Sequence, residues 1–319
     1  MIELSNEFVE DLICEDNPLD CIWEYLVEDV WVHDKSVTAY YNQGEKKTGS
    51  FERFFKYAYF EIYDLMTKES LGKRKKLRDM LEKSEYCLIV ADGLSIREAN
   101  LLLRKLEENG YNIKKYTYEI SNLPSDTIAF SREILNISAP SALRTSGEWR
   151  GKSIYIEDDK TNYPVPYSDQ VLIYSIFPDA DFDNVTAKIG DSLEEIYLKV
   201  SNIILKQIEN ANHDQIVITS DHGYCTKHPG SNWSIPESEK EIFQEVFGSA
   251  RFKERSKIFG DMEEKIEEIL DKTDRLKKVG DNVIVNGRYI WPVPGSKKQI
   301  YHGGISFMEN FVPLIEIEK

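Results

Sequence analysis

The chain of 319 residues is long enough to bury the core of one large α/β domain with insertions, or of two domains. Lysine and arginine number 40 against 56 aspartate and glutamate residues, and the formal charge of −16 argues against broad binding to a nucleic-acid backbone. Since the sequence shows neither a signal-like start nor an apolar run of membrane-spanning length, we expect a soluble, cytoplasmic protein with no membrane partner.

The first 82 residues predict a mainly helical extension. Apolar side chains recur at helical spacing between Phe8 and Leu26, and residues 51–66 are dense in aromatic side chains. Because charged residues are interspersed among these rings, we interpret them as a packing face rather than as a platform for stacking bases. The basic run at residues 73–76 is interpreted as a solvated helix face, with contact to an acidic partner as the alternative.

A continuous apolar run at residues 87–91 predicts a buried strand that ends on Asp92. Ser95 and Glu98 then form a capping box, which predicts the start of a helix. Asp92 is therefore expected on a strand-to-helix turn, where doubly wound folds bind their ligands. The alternative is an ordinary turn residue.

A further strand candidate runs from residue 116 into the segment Leu123-Pro124-Ser125-Asp126-Thr127. Thr127 falls at or near the first turn of the next predicted helix, where unpaired backbone N–H groups favour an anion. A hydroxyl at this place can receive a phosphoryl group. It can also serve only as a helix cap, and the sequence leaves both interpretations open.

The apolar strand predicted at residues 170–177 leads into an acidic segment that contains Asp179, Asp181 and Asp183. Three carboxylates at alternate positions repel one another unless a cation or a basic group lies among them. Asp179 and Asp183 are four residues apart and can converge on one ion if the segment makes a helical turn. A solvated acidic loop is the alternative.

An apolar stripe at residues 189–208 predicts a helix that leads to a strand at residues 216–219. Asp221 and His222 follow where that strand must end, and Gly223 permits a sharp turn after them. One carboxylate oxygen and one imidazole nitrogen form a donor pair suited to Zn²⁺ or Mn²⁺. The alternative is a strand end at which the two side chains cap a helix or shape a turn.

The pattern changes between about residues 225 and 295, where charged helical stretches surround a hairpin signal at Asn286-Gly287. We interpret this region as a cap-like insertion over the site. After it, His302 precedes two glycines that let the backbone pack closely while the imidazole points inward. Residues 311–317 predict a closing strand.

These pieces occur in a characteristic order along the chain. The order is Asp92, Leu-Pro-Ser-x-Thr127, Asp179 with Asp183, Asp221-His222-Gly223, and His302-Gly303-Gly304-x-Ser306. It resembles the alkaline phosphatase superfamily and, within it, the PglZ domain, over about residues 85–319. The resemblance implies an α/β fold with a doubly wound, mostly parallel sheet and helices on both faces. We therefore expect a helical extension over 1–82 and a catalytic domain over 83–319 that carries the 225–295 insertion.

The resemblance also implies two divalent metal ions, with Zn²⁺ expected first and Mn²⁺ or Mg²⁺ as alternatives. The expected ligands are Asp92, Thr127, Asp221 and His222 for one ion, and Asp179, Asp183 and His302 for the other. Many superfamily members have histidine where Asp183 stands, so the second site is expected to be harder and more anionic. Thr127 is the implied nucleophile. Further candidates for contacting an anionic substrate, each with a plain surface role as its alternative, are Arg97, Arg132, Lys227 and His228.

The functional hypothesis is a metal-dependent phosphodiesterase that acts on a nucleotide or a cyclic oligonucleotide. The diester preference, and a role in phage defence or signalling with partner proteins of a defence complex, come from the resemblance alone. One alternative is a phosphomutase, phosphomonoesterase or sulfatase with the same ligands, although Thr127 argues against the formylglycine chemistry of sulfatases. The other is a catalytically idle PglZ scaffold that uses residues 1–82 as its docking surface.

Overall fold

A six-stranded sheet forms the centre of the computed structural model, which describes residues 4–32, 36–72, 74–144, 149–159 and 162–319. The strands are β1 (Tyr86–Ala91), β2 (Asn112–Ile120), β3 (Lys152–Ile156), β4 (Gln170–Ser175), β5 (Gln215–Thr219), β6 (Cys225–Thr226), β7 (Trp233–Ser234), β8 (Phe252–Glu254), β9 (Leu276–Val279), β10 (Asn282–Val285), β11 (Tyr289–Ile290), β12 (Ile300–Tyr301) and β13 (Phe311–Glu318).

Helices surround this sheet. The α-helices are α1 (Asn6–Cys14), α2 (Pro18–Tyr25), α3 (Val37–Ala58), α4 (Ile62–Ser70), α5 (Lys75–Leu81), α6 (Ile96–Glu108), α7 (Thr127–Phe130), α8 (Ile189–Asn210), α9 (Glu237–Phe247), α10 (Asp261–Lys272) and α11 (Phe307–Asn310). Short π-helical turns cover Leu26–Val30 and Ser131–Leu135, and 3₁₀-helical turns cover Pro140–Arg144, Asp179–Asn184 and Arg255–Lys257. Within the described ranges, none of these helices combines the length and the apolar character that crossing a bilayer requires.

The strand order in the central sheet is β2-β13-β5-β1-β4-β3. Strand β1 pairs in parallel with β4 and β5, and β3 pairs in parallel with β4, whereas β13 runs antiparallel to both of its neighbours. The prediction of a mixed α/β protein with a mostly parallel sheet is confirmed. Since β1, β4 and β5 are adjacent and parallel, the residues that follow them meet at one edge of the sheet.

Both faces of the sheet are buried, which explains why its central strands are continuously apolar. Every residue of β1 is buried, and alternate side chains enter two separate apolar clusters. Cys87 and Ile89 join the cluster formed with α6 and α8, whereas Leu88 and Val90 join the one formed with α5 and the turn after α7. Helices therefore cover both faces.

The helical extension packs directly against this sheet. The ring of Trp23 lies 5.0 Å from that of Tyr116 on β2 and 6.3 Å from that of Phe311 on β13. The ring of Phe55 on α3 meets Phe307 at 5.0 Å. The aromatic stretch is thus a packing face, as its pattern predicted. The boundary after residue 82 remains a prediction from sequence pattern, and these ring contacts cross it.

The segment predicted as an insertion contains a small antiparallel sheet of order β8-β10-β9 and the helices α9 and α10. The predicted hairpin about Asn286-Gly287 is wrong. Gly287 does have the positive φ of a turn, 76°, but the flanking strand β10 pairs with β8 and β9 while β11 pairs with β7. The observed hairpin joins β9 to β10 at Gly280, whose φ is 55°. Turn chemistry located a turn correctly, but it did not determine which strands pair across it.

Candidate functional site

Acidic and imidazole side chains converge at the carboxyl ends of β1, β4 and β5. Asp92 follows β1, Asp179 lies in the 3₁₀ turn after β4, and Asp221 and His222 follow β5. Ligand atoms of Asp92, Asp221 and His222 all lie within 4.8 Å of one another, and so do those of Asp179, His222 and His302. Five of the predicted ligand side chains are therefore together, with His222 common to both groups.

Hydrogen bonds fix the orientation of the Asp221-His222 pair. The backbone N–H groups of Gly93 and His222 donate to Asp221 Oδ1 at 3.0 and 2.9 Å, which leaves Oδ2 facing the cluster. His222 Nδ1 lies 2.9 Å from the Gly223 carbonyl oxygen, so Nδ1 carries the proton and Nε2 faces Asp92 Oδ1 at 3.6 Å. An imidazole held in this way presents a free nitrogen lone pair to a metal ion.

Gly223 fills a different role from the sharp turn that the sequence suggested. Its φ angle is not positive. A Cβ added there would lie 2.2 Å from the carbonyl oxygen of Met308, so only glycine allows the two backbones to approach. The Gly223 N–H also donates to the Glu309 carbonyl at 2.9 Å. This contact seats the Asp221-His222 turn against α11.

Thr127 is the first residue of α7, and its hydroxyl lies inside the cluster. Thr127 Oγ1 is 2.7 Å from Asp221 Oδ2, 3.3 Å from Asp92 Oδ1 and 3.4 Å from His222 Nε2. The helix cap is Asp126, whose Oδ1 accepts from the Ala129 N–H at 2.7 Å. Since the neighbouring aspartate does the capping, the alternative role of Thr127 as a cap is not what the structure shows.

Ser125 joins the two loops that carry Thr127 and His302. Its hydroxyl donates to the Gly304 carbonyl at 2.9 Å and accepts from the Gly303 N–H at 3.0 Å. His302 Nδ1 lies 3.3 Å from the Ser125 carbonyl oxygen, so Nε2 is left facing Asp179 at 3.7 Å. The predicted Pro-Ser-x-Thr and His-Gly-Gly motifs therefore belong to one hydrogen-bonded unit.

Tyr174 is a site residue to which the sequence analysis assigned no role. Its hydroxyl lies 3.1 Å from Asp92 Oδ2 and 3.1 Å from Asp221 Oδ2, beneath the cluster. The side chain is completely buried in β4. An aromatic residue in a continuous apolar strand indicates a core position, so no local sequence signal predicts this contact.

Arg74 approaches the same strand end from the helical extension. Its guanidinium donates to the Ser220 carbonyl at 2.5 Å and to Thr219 Oγ1 at 2.8 Å, and it pairs with Glu119 at 3.1 Å. Arg74 is 2% exposed, so the interpretation of residues 73–76 as a solvated face is wrong at this position. Lys75 is exposed as expected, and Lys73 lies outside the described residues.

The carboxyl groups of the cluster are crowded together. Burial, together with Asp221 and Asp179, raises the pKa of Asp92 well above its usual range. Burial also opposes ionisation of Asp221, but His222 and the hydrogen bond from Thr127 outweigh it and lower the pKa of Asp221. Burial and the imidazole of His222, whose ring stacks at 4.2 Å, lower the pKa of His302 to about 4. Crowded carboxylates beside a neutral imidazole fit a divalent metal ion.

Asp183 lies outside both ligand groups and is exposed. The predicted convergence with Asp179 assumed α-helical geometry, but Asp179–Asn184 forms a 3₁₀ turn. With 3.0 residues per turn, side chains four apart point about 120° away from each other. Phe182 is buried in that turn and stands against Gly93, while Asp183 faces outward.

Arg97 does not lie where it could contact an anionic substrate, the role that was predicted for it. It is fully buried, its Nε donates to Glu45 Oε1 at 2.7 Å, and its Nη1 donates to the Tyr224 carbonyl at 3.0 Å. The guanidinium also lies over the Tyr224 ring, 4.3 Å from its centroid. These contacts hold Arg97 in the protein interior, so it is not available to a substrate. Sequence pattern predicts an accessible side chain here because Glu45, the buried partner of Arg97, is distant in the sequence.

The remaining candidates for substrate contact lie in the segments around the site. Arg132 is exposed in the π-helical turn that follows α7. Lys227 and His228 are half-buried after β6, where the Lys227 N–H donates to the Gln299 carbonyl at 2.7 Å and His228 Nδ1 lies 3.1 Å from the Pro229 carbonyl. Their contact with a substrate remains a prediction.

Residues 155–317, slightly more than half of the chain, match the family model described as the BREX system PglZ alkaline phosphatase-like domain. The chain belongs to the PglZ family. The predicted resemblance is confirmed, and membership supports a phosphoesterase-type hydrolase. The matched range includes Asp179, Asp221, His222 and His302. The placement of Asp92 and Thr127 beside them comes from the structure.

A search of solved structures and a search of curated proteins gave different results. The crystal structure of phosphonoacetate hydrolase from Sinorhizobium meliloti 1021, in complex with phosphonoacetate, is similar to this chain with a TM-score of 0.40 and 12% sequence identity. That similarity covers 73% of this chain and 89% of the other. Among curated proteins, no match was found.

Proposed function

We propose that the protein is a metal-dependent phosphodiesterase that acts on a nucleotide or cyclic oligonucleotide, with Thr127 as its nucleophile. One observation carries the proposal. The Thr127 hydroxyl lies 2.7 Å from Asp221 Oδ2, at the centre of a buried carboxylate and imidazole cluster. The family description as alkaline phosphatase-like supports phosphoester chemistry at this place.

The residues present fit two divalent ions, for which we propose Zn²⁺ with Mn²⁺ or Mg²⁺ as alternatives. Asp92, Asp221, His222 and Thr127 would hold one ion, and Asp179 and His302 would hold the other. Asp183 would have to move to join them. When bound, such ions supply the positive charge that stabilises phosphate oxygens during an in-line displacement.

The chain itself supplies the nucleophile and its orientation. Asp126 and Ser125 fix the loop around Thr127, so Oγ1 is held among the side chains of the cluster. Attack by Oγ1 forms a bond to phosphorus while the bond to the departing alcohol breaks, and the Oγ1 proton moves to Asp221 Oδ2, its acceptor. The departing oxygen takes a proton from water, and the hydroxide so formed attacks the phosphothreonine, which still carries the retained ester group. The bond from phosphorus to Oγ1 then breaks, and Asp221 returns the proton to Thr127.

A turnover assay tests the proposal. Metal-stripped protein is resupplied with Zn²⁺, Mn²⁺ or Mg²⁺ and offered bis-p-nitrophenyl phosphate, p-nitrophenyl phosphate and p-nitrophenyl sulfate. We expect metal-restored cleavage of the diester that Thr127→Ala and Asp221→Ala abolish. Thr186→Ala, which removes a threonine hydroxyl from the exposed segment before α8, is the matched control and should retain activity.

The other outcomes identify the alternatives. Faster cleavage of the monoester would replace the diesterase with a phosphomonoesterase or mutase, and cleavage of the sulfate would indicate a sulfatase. Absence of turnover with every metal, in protein shown to be folded, would favour a scaffold without catalysis.

The proposal includes a cytoplasmic setting in phage defence or signalling, with partner proteins. The family description as part of the BREX system supports this setting, and four free cysteines agree with a reducing compartment. Protection of host cells against phage should be lost when Thr127→Ala replaces the wild-type protein. Full protection by that variant would separate defence from catalysis.

A further inference from the structure

A groove of about 610 Å³ separates the loop that carries Thr127 from the three-stranded sheet of the predicted insertion. One wall is formed by the catalytic loop, residues 123–129, and includes Ile128. The facing wall is formed by β8 and the start of β10, and includes Phe252 and Asn282. A cavity of this size accommodates a ligand the size of a nucleotide.

The groove runs along the loop that carries Thr127, and its lining comes from the neighbours of Thr127 rather than from Thr127 itself. Asp126 and Ile128, the two neighbours of Thr127 in the chain, both line it. On the other side, a Cβ at Gly303 would lie 2.7 Å from the Phe252 ring, so that ring stands against the residue next to His302. A substrate whose phosphate lies at Thr127 therefore has the groove as an adjoining space for its remaining part.

The chemistry of the walls suits a planar ring with polar edges. Ile128 is an apolar side chain that is 37% exposed, and Phe252 is a half-buried aromatic ring. Asn282 and Ser256 add neutral hydrogen-bonding groups along the same groove. Nucleobases are bound in this way, with their faces on apolar or aromatic side chains and their edges on donors and acceptors.

The charges that line the groove limit the size of its ligand. Arg132 and Arg255 supply the positive charge, against four carboxylates from Asp126, Glu133, Glu254 and Asp281. Arg255 is already paired with Glu267 at 2.6 Å. A groove without an excess of positive charge disfavours a long phosphate backbone. It is compatible with one nucleoside attached to the reacting phosphate.

We infer that this groove binds the nucleoside of a small nucleotide ester whose phosphate is cleaved at Thr127, an inference that rests on the function proposed above. Phe252 and Ile128 contact the base. Arg132, which also lines the groove, contacts a second phosphate. The insertion therefore selects the substrate by its base.

A binding experiment tests the groove separately from turnover. Thr127→Ala protein supplied with Mn²⁺ is titrated by calorimetry with adenosine 5′-monophosphate, guanosine 5′-monophosphate and ribose 5-phosphate. We expect at least one nucleotide to bind about tenfold more tightly than ribose 5-phosphate, the scale of one base-stacking contact. Adding Phe252→Ala should remove this preference. Phe259→Ala is the matched control, because Phe259 lies in the same predicted insertion, is 75% exposed and does not line the groove.

Ile128→Ala provides an independent variant if Phe252→Ala does not fold, and it should reduce the same preference. Equal affinity for the nucleotides and ribose 5-phosphate would overturn the inference, as would a preference that both groove variants leave intact. A complete lack of binding would also overturn it. If bis-p-nitrophenyl phosphate is cleaved while no base preference is found, the groove inference fails and the proposed function stands. If the base preference is found without turnover, the groove binds a nucleoside and the proposed function fails.

Discussion

The protein contains two buried groups of charged side chains that differ in how their charge is balanced. The first, which we call the ion-pair core, consists of Glu45, Glu52, Glu309, Arg97, Arg251 and Arg288. Its three arginines and three glutamates neutralise one another. The second is the candidate site, where Asp92 and Asp221 have ion-pair contacts with His222 alone within the described chain.

This difference separates a structural role from a functional one. In the ion-pair core Arg251 lies 2.7 Å from Glu309, and Arg288 lies 3.2 Å from Glu45 and 3.4 Å from Glu52. These pairs connect α3, α11 and the predicted insertion without any added ligand. The site contains carboxylates that lack such partners, which is the condition under which a bound cation stabilises a protein.

The largest effect should come from breaking the ion-pair core. Arg288→Met leaves Glu45 and Glu52 buried without this cation, and we expect the free energy of unfolding to fall by roughly 3–5 kcal/mol. Urea unfolding measures this value. Arg255→Met removes the partner of Glu267 in a partly exposed pair and should cost only about 0–1 kcal/mol. Equal losses in the two variants would contradict the structural role of the core.

Within the site, paired substitutions test which acidic residue binds metal. Asp179→Ala removes a member of a ligand group and should lower metal-dependent turnover by roughly 100-fold or more, since even outer partners of metal ligands can cost that much. Asp183→Ala changes an exposed side chain and should alter turnover by about twofold at most. A large loss in Asp183→Ala would show that the 3₁₀ turn rearranges to deliver this carboxylate.

Tyr174→Phe should have a moderate effect. The substitution removes the hydroxyl that lies between Asp92 and Asp221, and we expect metal affinity to fall by about tenfold with the fold unchanged. Metal titration of the stripped protein gives the affinity. Tyr197→Phe removes a different buried hydroxyl, bound to the Leu101 carbonyl, and should leave metal affinity as it is. A similar loss in both variants would assign the effect to general packing.

The smallest effect should have the opposite sign from the first. Asp92→Asn removes one of the crowded carboxylates, so the metal-free protein should gain on the order of 1 kcal/mol in stability. Melting curves in a chelator and in added Zn²⁺ or Mn²⁺ measure this change. Metal should raise the Tm of the wild type and of an Asp183→Asn control, but not that of Asp92→Asn. A less stable metal-free Asp92→Asn protein would show that the folded protein already stabilises the Asp92 carboxylate without metal.

Local sequence pattern predicted much of the sheet and placed four candidate metal-binding side chains at its strand ends, while the resemblance supplied their grouping as ligands. The strands β1, β4 and β5 are apolar through their centres. Asp92, Asp179 and the Asp221-His222 pair come at or shortly after their carboxyl ends. In parallel neighbours those ends must meet, so Asp92, Asp179 and the Asp221-His222 pair could be placed without knowledge of tertiary contacts.

The remaining features depend on contacts between residues far apart in the chain. Arg97 is 52 positions from Glu45, and Glu45 is 243 positions from Arg288, so no sequence window contains the ion-pair core. Asp183 was misplaced because composition does not distinguish a 3₁₀ turn from an α-helical one. The contact of the Tyr174 hydroxyl with Asp92 and Asp221 was missed because its ring lies in an apolar strand and belongs to the core.

The contacts of Arg74 make the domain after residue 82 depend on the helical extension. A shortened chain that begins at residue 83 would lose this guanidinium and its hydrogen bonds to Ser220 and Thr219, directly before Asp221. It would also lose Glu45, the partner of Arg97. The extension thus stabilises the end of β5, which carries Asp221 and His222. A relative without the extension would need other contacts to support that strand.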